Sequence, residues 1–324
     1  MIKVLEIRPE PVSKSNGIDT YCQSLRKLFA GDSNIEILPV VNYKQSRTKL
    51  LHEVYDYKGL KAALEEAKPT HVHINGYTSF SVVQAFFAAR RHGCKIIYTA
   101  HWHPFCHLQH PLRGKLFFTM FIKPFVKRWA NVVTAINGED YEFFHTFHKN
   151  VVQIPHWLSA TDVHPSLIEK KKNMILFVGR VSDVNKGVEH IYHLPEGKYE
   201  IHTVGVGDIP IRSDIFRHIN IPLEELEELY ERASLLVVPS KYEAFSYVSL
   251  EALVKGTPIL VSQGVRIADY LTDIKGCYVF NYHDYEAFVR GVEQAIGSIV
   301  DVDGVLRLFS PERVKDLYRS VFES

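Results

Sequence analysis

The chain has 324 residues, 46% of them hydrophobic and 23% charged, which describes an ordinary globular protein long enough for about two domains. A formal charge of +1 leaves no domain-wide basic excess and excludes general nucleic-acid binding. No apolar run approaches the roughly 20 residues of a membrane span.

Four scattered cysteines, Cys22, Cys94, Cys106 and Cys277, form no disulfide framework and point to a reducing compartment. The opening MIKVLEIRPEP reads as a strand and not as a signal peptide. The expected location is the cytoplasm, with attachment to the inner face of the plasma membrane open.

In chain order, residues 2–7 alternate into a strand. The loop RPEPVSKSNG follows, and Gly17 opens a helix over 18–29. Free amides and the helix dipole converge at such a terminus, so Gly17 is either an anion-site residue or a turn glycine. A strand is expected over 35–41, a helix over 58–67, and a strand over 71–74. A helix over 80–92 and a strand over 95–99 come next. This βαβα alternation predicts a parallel, doubly wound α/β sheet.

The run TAHWHPFCHLQH then gathers His101, His103, Cys106, His107 and His110. All are metal-ligand types, but H-x-H-x-x-C-H-x-x-H is not a recognisable metal spacing. The site set therefore contains no metal ligands. Residues 113–129 interleave Arg113, Lys115, Lys123, Lys127 and Arg128 with Leu116, Phe117, Phe118, Met120, Phe121, Ile122, Phe125 and Trp129. Two readings stand: an interfacial helix on anionic lipid, or a core-facing helix with a solvated basic face. Pro124 should kink this stretch or divide it into two helices. A strand over 131–135, a helix over 139–147 and a strand over 151–154 complete the first half.

The second half restarts the pattern. A strand over 174–178 runs into Gly179-Arg180 and then Lys186-Gly187. A strand over 200–204, a turn at 205–208 and an amphipathic helix over 222–233 follow. The segment VPSKYEAFSYVSLEALVKGTPILVS, residues 238–262, reads as strand end, tight loop, helix and strand. Phe245, Val248, Leu250, Ala252 and Leu253 are its helical apolar positions. Glu243 and Glu251 are expected to face one crevice at the carboxyl end of the sheet, where open parallel sheets place ligands. The amides of 263–266 are expected to line phosphates. Helices are expected over 284–296 and 311–322.

The pattern P-S-x-x-E-x-F-x-x-x-x-L-E-A-x-x-x-G-x-P at 239–258, with G-R-x5-K-G at 179–187, resembles the retaining glycosyltransferases of family four. That resemblance runs along nearly the whole chain. It implies a GT-B fold, α/β, with two Rossmann-like doubly wound domains facing a central cleft. Residues 1–155 would be the acceptor-side domain, with a C-terminal helix at 311–324 packing back, and residues 156–310 the nucleotide-sugar donor domain. IPHWLSATDVHP, residues 154–165, resembles the passage between the two, with His156 and Trp157 in place of Asn and Gly.

The resemblance also implies site roles. Arg180 and Lys186 would neutralise a departing nucleoside diphosphate, with Gly179 beside them. Glu243 would touch the transferred sugar and Glu251 the ribose hydroxyls. Ala244, Phe245 and Ser246 would form the diphosphate-binding loop, Ala244 and Ser246 standing where the family has glycines. His101 would face the donor sugar, and Gly17 would lie near the diphosphate or the acceptor. Arg180, Lys186, Glu243 and His101 form the catalytic set.

The implied activity is metal-independent, retaining transfer of a sugar from a UDP- or GDP-linked donor to a hydroxyl of a glycan or lipid-linked acceptor. Its setting would be bacterial surface polysaccharide or glycolipid assembly, with no cofactor beyond the donor as co-substrate. The alternatives are a non-catalytic nucleotide-sugar or metal binder, and another GT-B enzyme such as a phosphorylase or an epimerase.

Overall fold

A computed structural model describes residues 1–8, 17–38, 45–46, 54–55, 57–76, 79–101, 103, 111–158 and 169–324. The chain folds as two compact units, Met1–His156 with Pro311–Ser324, and Trp157–Ser310.

The first unit runs β1 (Ile2–Ile7), α1 (Gly17–Leu28), β2 (Ile35–Leu38), β3 (Gln45–Ser46), β4 (Val54–Tyr55), α2 (Tyr57–Ala67), β5 (His71–Asn75), α3 (Phe80–Arg91) and β6 (Lys95–Thr99). It continues with α4 (Pro111–Phe117), a π-helical turn over Phe118–Ile122, α5 (Lys123–Trp129), β7 (Val132–Ala135), α6 (Gly138–His145) and β8 (Val151–Gln153). Six strands form one sheet in the order β2-β1-β5-β6-β7-β8, every neighbouring pair parallel. β3 and β4 form a separate antiparallel pair. A strand had been expected to reach residue 41; β2 ends at Leu38, and 39–41 lie outside the described residues.

The stretch is divided, as the proline suggests: α4 and α5 are separate helices. The π turn Phe118–Ile122 leads directly into α5, and Pro124 sits in the first turn of α5. Proline has no N–H to give to the preceding turn, and the first turn of a helix is where that lack is tolerated. Phe118, Ile122 and Val126, four residues apart, point into the core.

The second unit runs β9 (Met174–Val178), a 3-10 turn over Val188–His193, β10 (Glu200–Val204), β11 (Ile215–His218), α7 (Leu223–Arg232), β12 (Leu235–Val238), α8 (Tyr247–Val254) and β13 (Ile259–Ser262). A 3-10 turn over Arg266–Tyr270, β14 (Cys277–Phe280), α9 (Tyr285–Ala295) and α10 (Val302–Phe309) complete it. Its six strands are parallel in the order β11-β10-β9-β12-β13-β14. The interior strands are apolar on both faces, as helices covering both sides of a sheet require; all four residues of β12 and of β13 are buried.

The last helix, α11 (Pro311–Glu323), belongs to the first unit. Phe322 packs edge-on against Phe29, and Tyr318 hydrogen-bonds Tyr21. Lys315 and Arg319 reach Asp32 at 3.2 and 2.7 Å. The backbone amide of Asn34 and these two cations hold the Asp32 carboxyl down at about 2.

In each sheet the strand order reverses once. The reversal falls between β1 and β5 in the first unit and between β9 and β12 in the second. Loops leaving the carboxyl ends of such neighbouring strands diverge and open a crevice there.

Candidate active site

In the second unit the loops that follow β9 and β12 meet at this reversal. The Lys186 ammonium lies 2.8 Å from Glu243 Oε1, with side-chain exposures of 24% and 12%. Ser240 Oγ donates to the same carboxylate oxygen at 2.5 Å. Gly179 lies beside the Lys186 stem, since a Cβ there would stand 3.5 Å from Lys186 Cδ. Arg180 is 72% exposed and paired with Asp183 at 2.9 Å. Asp183 also accepts from the Asn185 amide at 3.0 Å, which closes the loop as a turn.

The pair is held in place mostly by backbone. Asn185 stitches the two loops together: its Nδ2 donates to the Tyr242 carbonyl at 2.9 Å and its Oδ1 accepts from the Tyr242 amide at 3.2 Å. Lys241 N donates to the Asn185 carbonyl at 2.7 Å. Gly187 has φ +64, and a Cβ there would overlap the Pro239 carbonyl oxygen. A side chain at this position would part the loops that hold Lys186 and Glu243. The fully buried His190 ties the same loop down from below, its ring nitrogens 2.9 Å from the Gly187 carbonyl and 2.8 Å from that of Tyr282.

The loop after β13 clamps Glu243 from the other side. Glu243 N donates to the Gly264 carbonyl and Arg266 N to the Glu243 carbonyl, both at 3.0 Å. This corrects the expectation that the amides of 263–266 line phosphates. Gln263 N donates to Phe280 O, Gly264 N to Ser262 Oγ, Val265 N to Ser262 O and Arg266 N to Glu243 O. All four amides turn inward because this loop must dock on the Glu243 loop, and docked backbone groups are satisfied by one another.

The other expected donor residues lie on the same segment. Ala244 is buried; Ser246 is extended, caps α8, and accepts from Ser249 Oγ at 2.8 Å. Phe245 fits the helical pattern of the sequence, but α8 begins at Tyr247. The Phe245 ring packs against Tyr247, Tyr270 and Phe309. Glu251 accepts from Tyr230 of α7 at 2.8 Å, and burial followed by this carboxylate pushes the Tyr230 hydroxyl well above its ordinary value.

His101 and Gly17 belong to the first unit. Gly17 is the first residue of α1. His101 follows β6 in the left-handed region, φ +57, and its Nε2 lies 2.7 Å from Asn75 Oδ1. Burial, then the neighbouring His156 and His73, hold its imidazole well below the ordinary range. His103 turns elsewhere, to Asp140 at 2.6 Å. Among the described residues no three histidine, cysteine, aspartate or glutamate side chains assemble a metal site. Cys106, His107 and His110 lie outside the described residues.

Asn185 and Asn75 were missed by sequence reading. Each is a small polar residue whose partner is remote in sequence, and no local pattern marks it.

The segment that carries Lys186 and Glu243 matches a known family. The model described as "Glycosyl transferases group 1" covers residues 160–298. An uncharacterized glycosyltransferase of Methanocaldococcus jannaschii is 31% identical over 130 residues, which are 35% of this chain and 33% of that one. The chain thus spans about a third of that relative's length. Among solved structures, Anabaena HepE in complex with UDP-glucose superposes with a TM-score of 0.75 at 12% identity, covering 100% of both chains. The lipopolysaccharide outer core galactosyltransferase WaaB in its apo form gives 0.73 at 17% identity, covering 99% of both. Residues 160–298 of the second unit match the glycosyl transferases group 1 model, and the chain has the GT-B fold.

Proposed function

We propose that this protein is a metal-independent, retaining glycosyltransferase. It moves a sugar from a UDP- or GDP-linked donor to a hydroxyl of a glycan or lipid-linked acceptor, in the assembly of a bacterial surface polysaccharide or glycolipid. The observation that carries the reading is the Lys186–Glu243 pair, 2.8 Å apart at the strand-order reversal of a group 1 domain.

The chemistry follows from that pair. A donor diphosphate competes with Glu243 for the Lys186 ammonium. Arg180, exposed at the surface, adds a second cation, and together they stabilise the charge that grows as the bond between sugar and phosphate breaks. Glu243, released from Lys186, accepts hydrogen bonds from sugar hydroxyls, and Glu251 does the same for the ribose. The backbone of Ala244, Phe245 and Ser246, beside the first turn of α8, faces the diphosphate. The first unit serves the acceptor, with Gly17 at a helix terminus and His101 assigned to the donor sugar. The acceptor hydroxyl attacks the face from which the diphosphate departs, and a phosphate oxygen takes its proton. A UDP-glucose complex of a protein with this fold supports a nucleotide-sugar donor.

The membrane reading is part of the proposal. Leu112, Leu116, Met120 and Phe121 are 81%, 60%, 56% and 38% exposed, beside exposed Arg113, Lys115, Lys127 and Arg128. Apolar side chains flanked by cations suit an anionic lipid surface. No helix among the described residues is long and apolar enough to cross a membrane.

The test is a donor screen with UDP- and GDP-sugars in the presence of a chelator, followed by assignment of the product's anomeric configuration. The expected product keeps the donor's configuration. Inversion, or dependence on a divalent cation, removes that part of the reading. Donor binding without turnover favours the non-catalytic binder.

A further inference from the structure

The first unit encloses a polar network that the proposed chemistry does not use. It lies at the carboxyl ends of β1, β5, β6 and β7. Glu6, 1% exposed on β1, receives Asn75 Nδ2 at 2.6 Å and the Cys22 thiol at 3.6 Å on one oxygen. His73 Nδ1 stands 2.9 Å from its other oxygen. Through Thr99, at 2.7 Å from His73 Nε2, the network reaches Thr134.

The Asn75 amide can take only one orientation here. Its Nδ2 faces the Glu6 carboxylate and, at 3.3 Å, the His73 carbonyl. Both partners accept and neither donates, so the nitrogen must lie on their side. The amide oxygen is thereby turned to His101 Nε2 at 2.7 Å. An amide oxygen also only accepts, so Nε2 must carry the hydrogen. With Nε2 protonated and a second proton disfavoured by burial, Nδ1 is left with a bare lone pair. Among the described residues no hydrogen bond reaches Nδ1. The ring is held from turning by the Tyr21 edge, 4.5 Å between centroids, and by His156 stacked at 6.1 Å.

We propose that Glu6 and Asn75 are positioning residues that lock His101 as its Nε2–H tautomer, so that Nδ1 accepts a hydrogen bond from a hydroxyl of the substrate. The inference rests on the sugar-transfer reading for the identity of that hydroxyl. It also limits what His101 can bind: a lone pair attracts a sugar O–H and repels a phosphate oxygen. His101 is therefore a sugar ligand and not a third diphosphate cation.

The experiment is nitrogen NMR of the protein labelled with 15N-histidine, beside kinetics of Glu6→Gln. In the wild type the His101 signals should report Nε2–H between pH 6 and 8. An Nδ1–H tautomer, or a doubly protonated ring, overturns the proposal whatever the activity. In Glu6→Gln the new amide can donate, Asn75 is free to reverse, and the Nδ1–H form should appear. The kcat for transfer should then fall about tenfold to a hundredfold with the thermal midpoint kept. A changed tautomer with unchanged kcat overturns the positioning role. If Glu6→Gln does not fold, the wild-type spectrum still decides the tautomer, and Asn75→Ala carries the kinetic comparison. A wild type with Nε2–H His101 but no transfer from any nucleotide sugar sinks the transfer reading and the positioning role with it, while the tautomer assignment stands.

Discussion

The two strand-order reversals of this chain hold acidic groups at the same edge of the same kind of sheet, and they use them oppositely. In the second unit Glu243 and Lys186 are 12% and 24% exposed, and solvent reaches both. In the first unit Glu6 is 1% exposed and is surrounded by His73, Asn75 and Cys22. A part-exposed ion pair contributes little to stability and can open when a better anion arrives. A wholly buried carboxylate is strongly disfavoured unless its donors stay in place, so its neighbours become fixed in orientation. Topology chooses where polar chemistry collects; depth of burial decides whether it binds or aligns.

The largest expected effect breaks the open pair. Lys186→Ala or Glu243→Ala should lower transfer about 10²- to 10³-fold, read as kcat/KM for the best donor. Circular dichroism and thermal midpoint should stay near wild type, because the pair is not part of the core. A double-mutant cycle should show the two losses to be non-additive.

Acid should act on the enclosed network instead. Burial pushes His156 down to about 3 and holds His101 well below the ordinary range. Unfolding returns both to near 6.5, so between those values the unfolded chain binds more protons than the folded one. Stability is therefore complete above about pH 6.5 and is lost as pH falls toward the folded values, by about 1.4 kcal/mol per pH unit for His156. Urea unfolding at pH 7, 6 and 5 checks the slope. His156→Gln should flatten it, and a wild-type stability independent of pH over that range would contradict the contrast between the units.

Smaller effects sharpen the picture of the open site. Gly187→Ala forces a Cβ onto the Pro239 carbonyl at φ +64 and should cost about 1–3 kcal/mol, measured by denaturant midpoint, while weakening donor binding. Asn185→Ala removes both side-chain stitches between the loops and should cost about 1–2 kcal/mol. Its activity loss should exceed what its stability loss predicts, since Lys186 and Glu243 would then lose their register.

Much of the architecture was legible before any coordinates. Apolar runs such as 235–238 and 259–261 announce strands buried on both faces, and their alternation with helical patterns implies parallel sheets. Lys186 and Glu243 were legible because each follows such a run inside a pattern that resembles a known family, G-R-x5-K-G for Lys186 and P-S-x-x-E-x-F for Glu243. Two readings failed for one reason. Phe245 fits a helical period but is held outside α8, because Ser246 is extended and begins the helix. The amides of 263–266 look free in a glycine-containing loop but are taken by Phe280, Ser262 and Glu243. Local pattern reports what a residue tends to do, not which distant groups compete for it.

By itself the amino-acid order determined the doubly wound class and most of the strands, though not β3, β4, β11 or β14, because periodicity and turn chemistry act over a few residues. The family resemblance singled out the cations and carboxylates that follow them. Only the tertiary structure decided who pairs with whom. Lys186 meets Glu243 across 57 positions, and Glu6 meets Asn75 across 69. Such partnerships exist only after the sheet has brought remote strands side by side, and hydrogen bonds are short and directional enough that a shift of one residue would dissolve them.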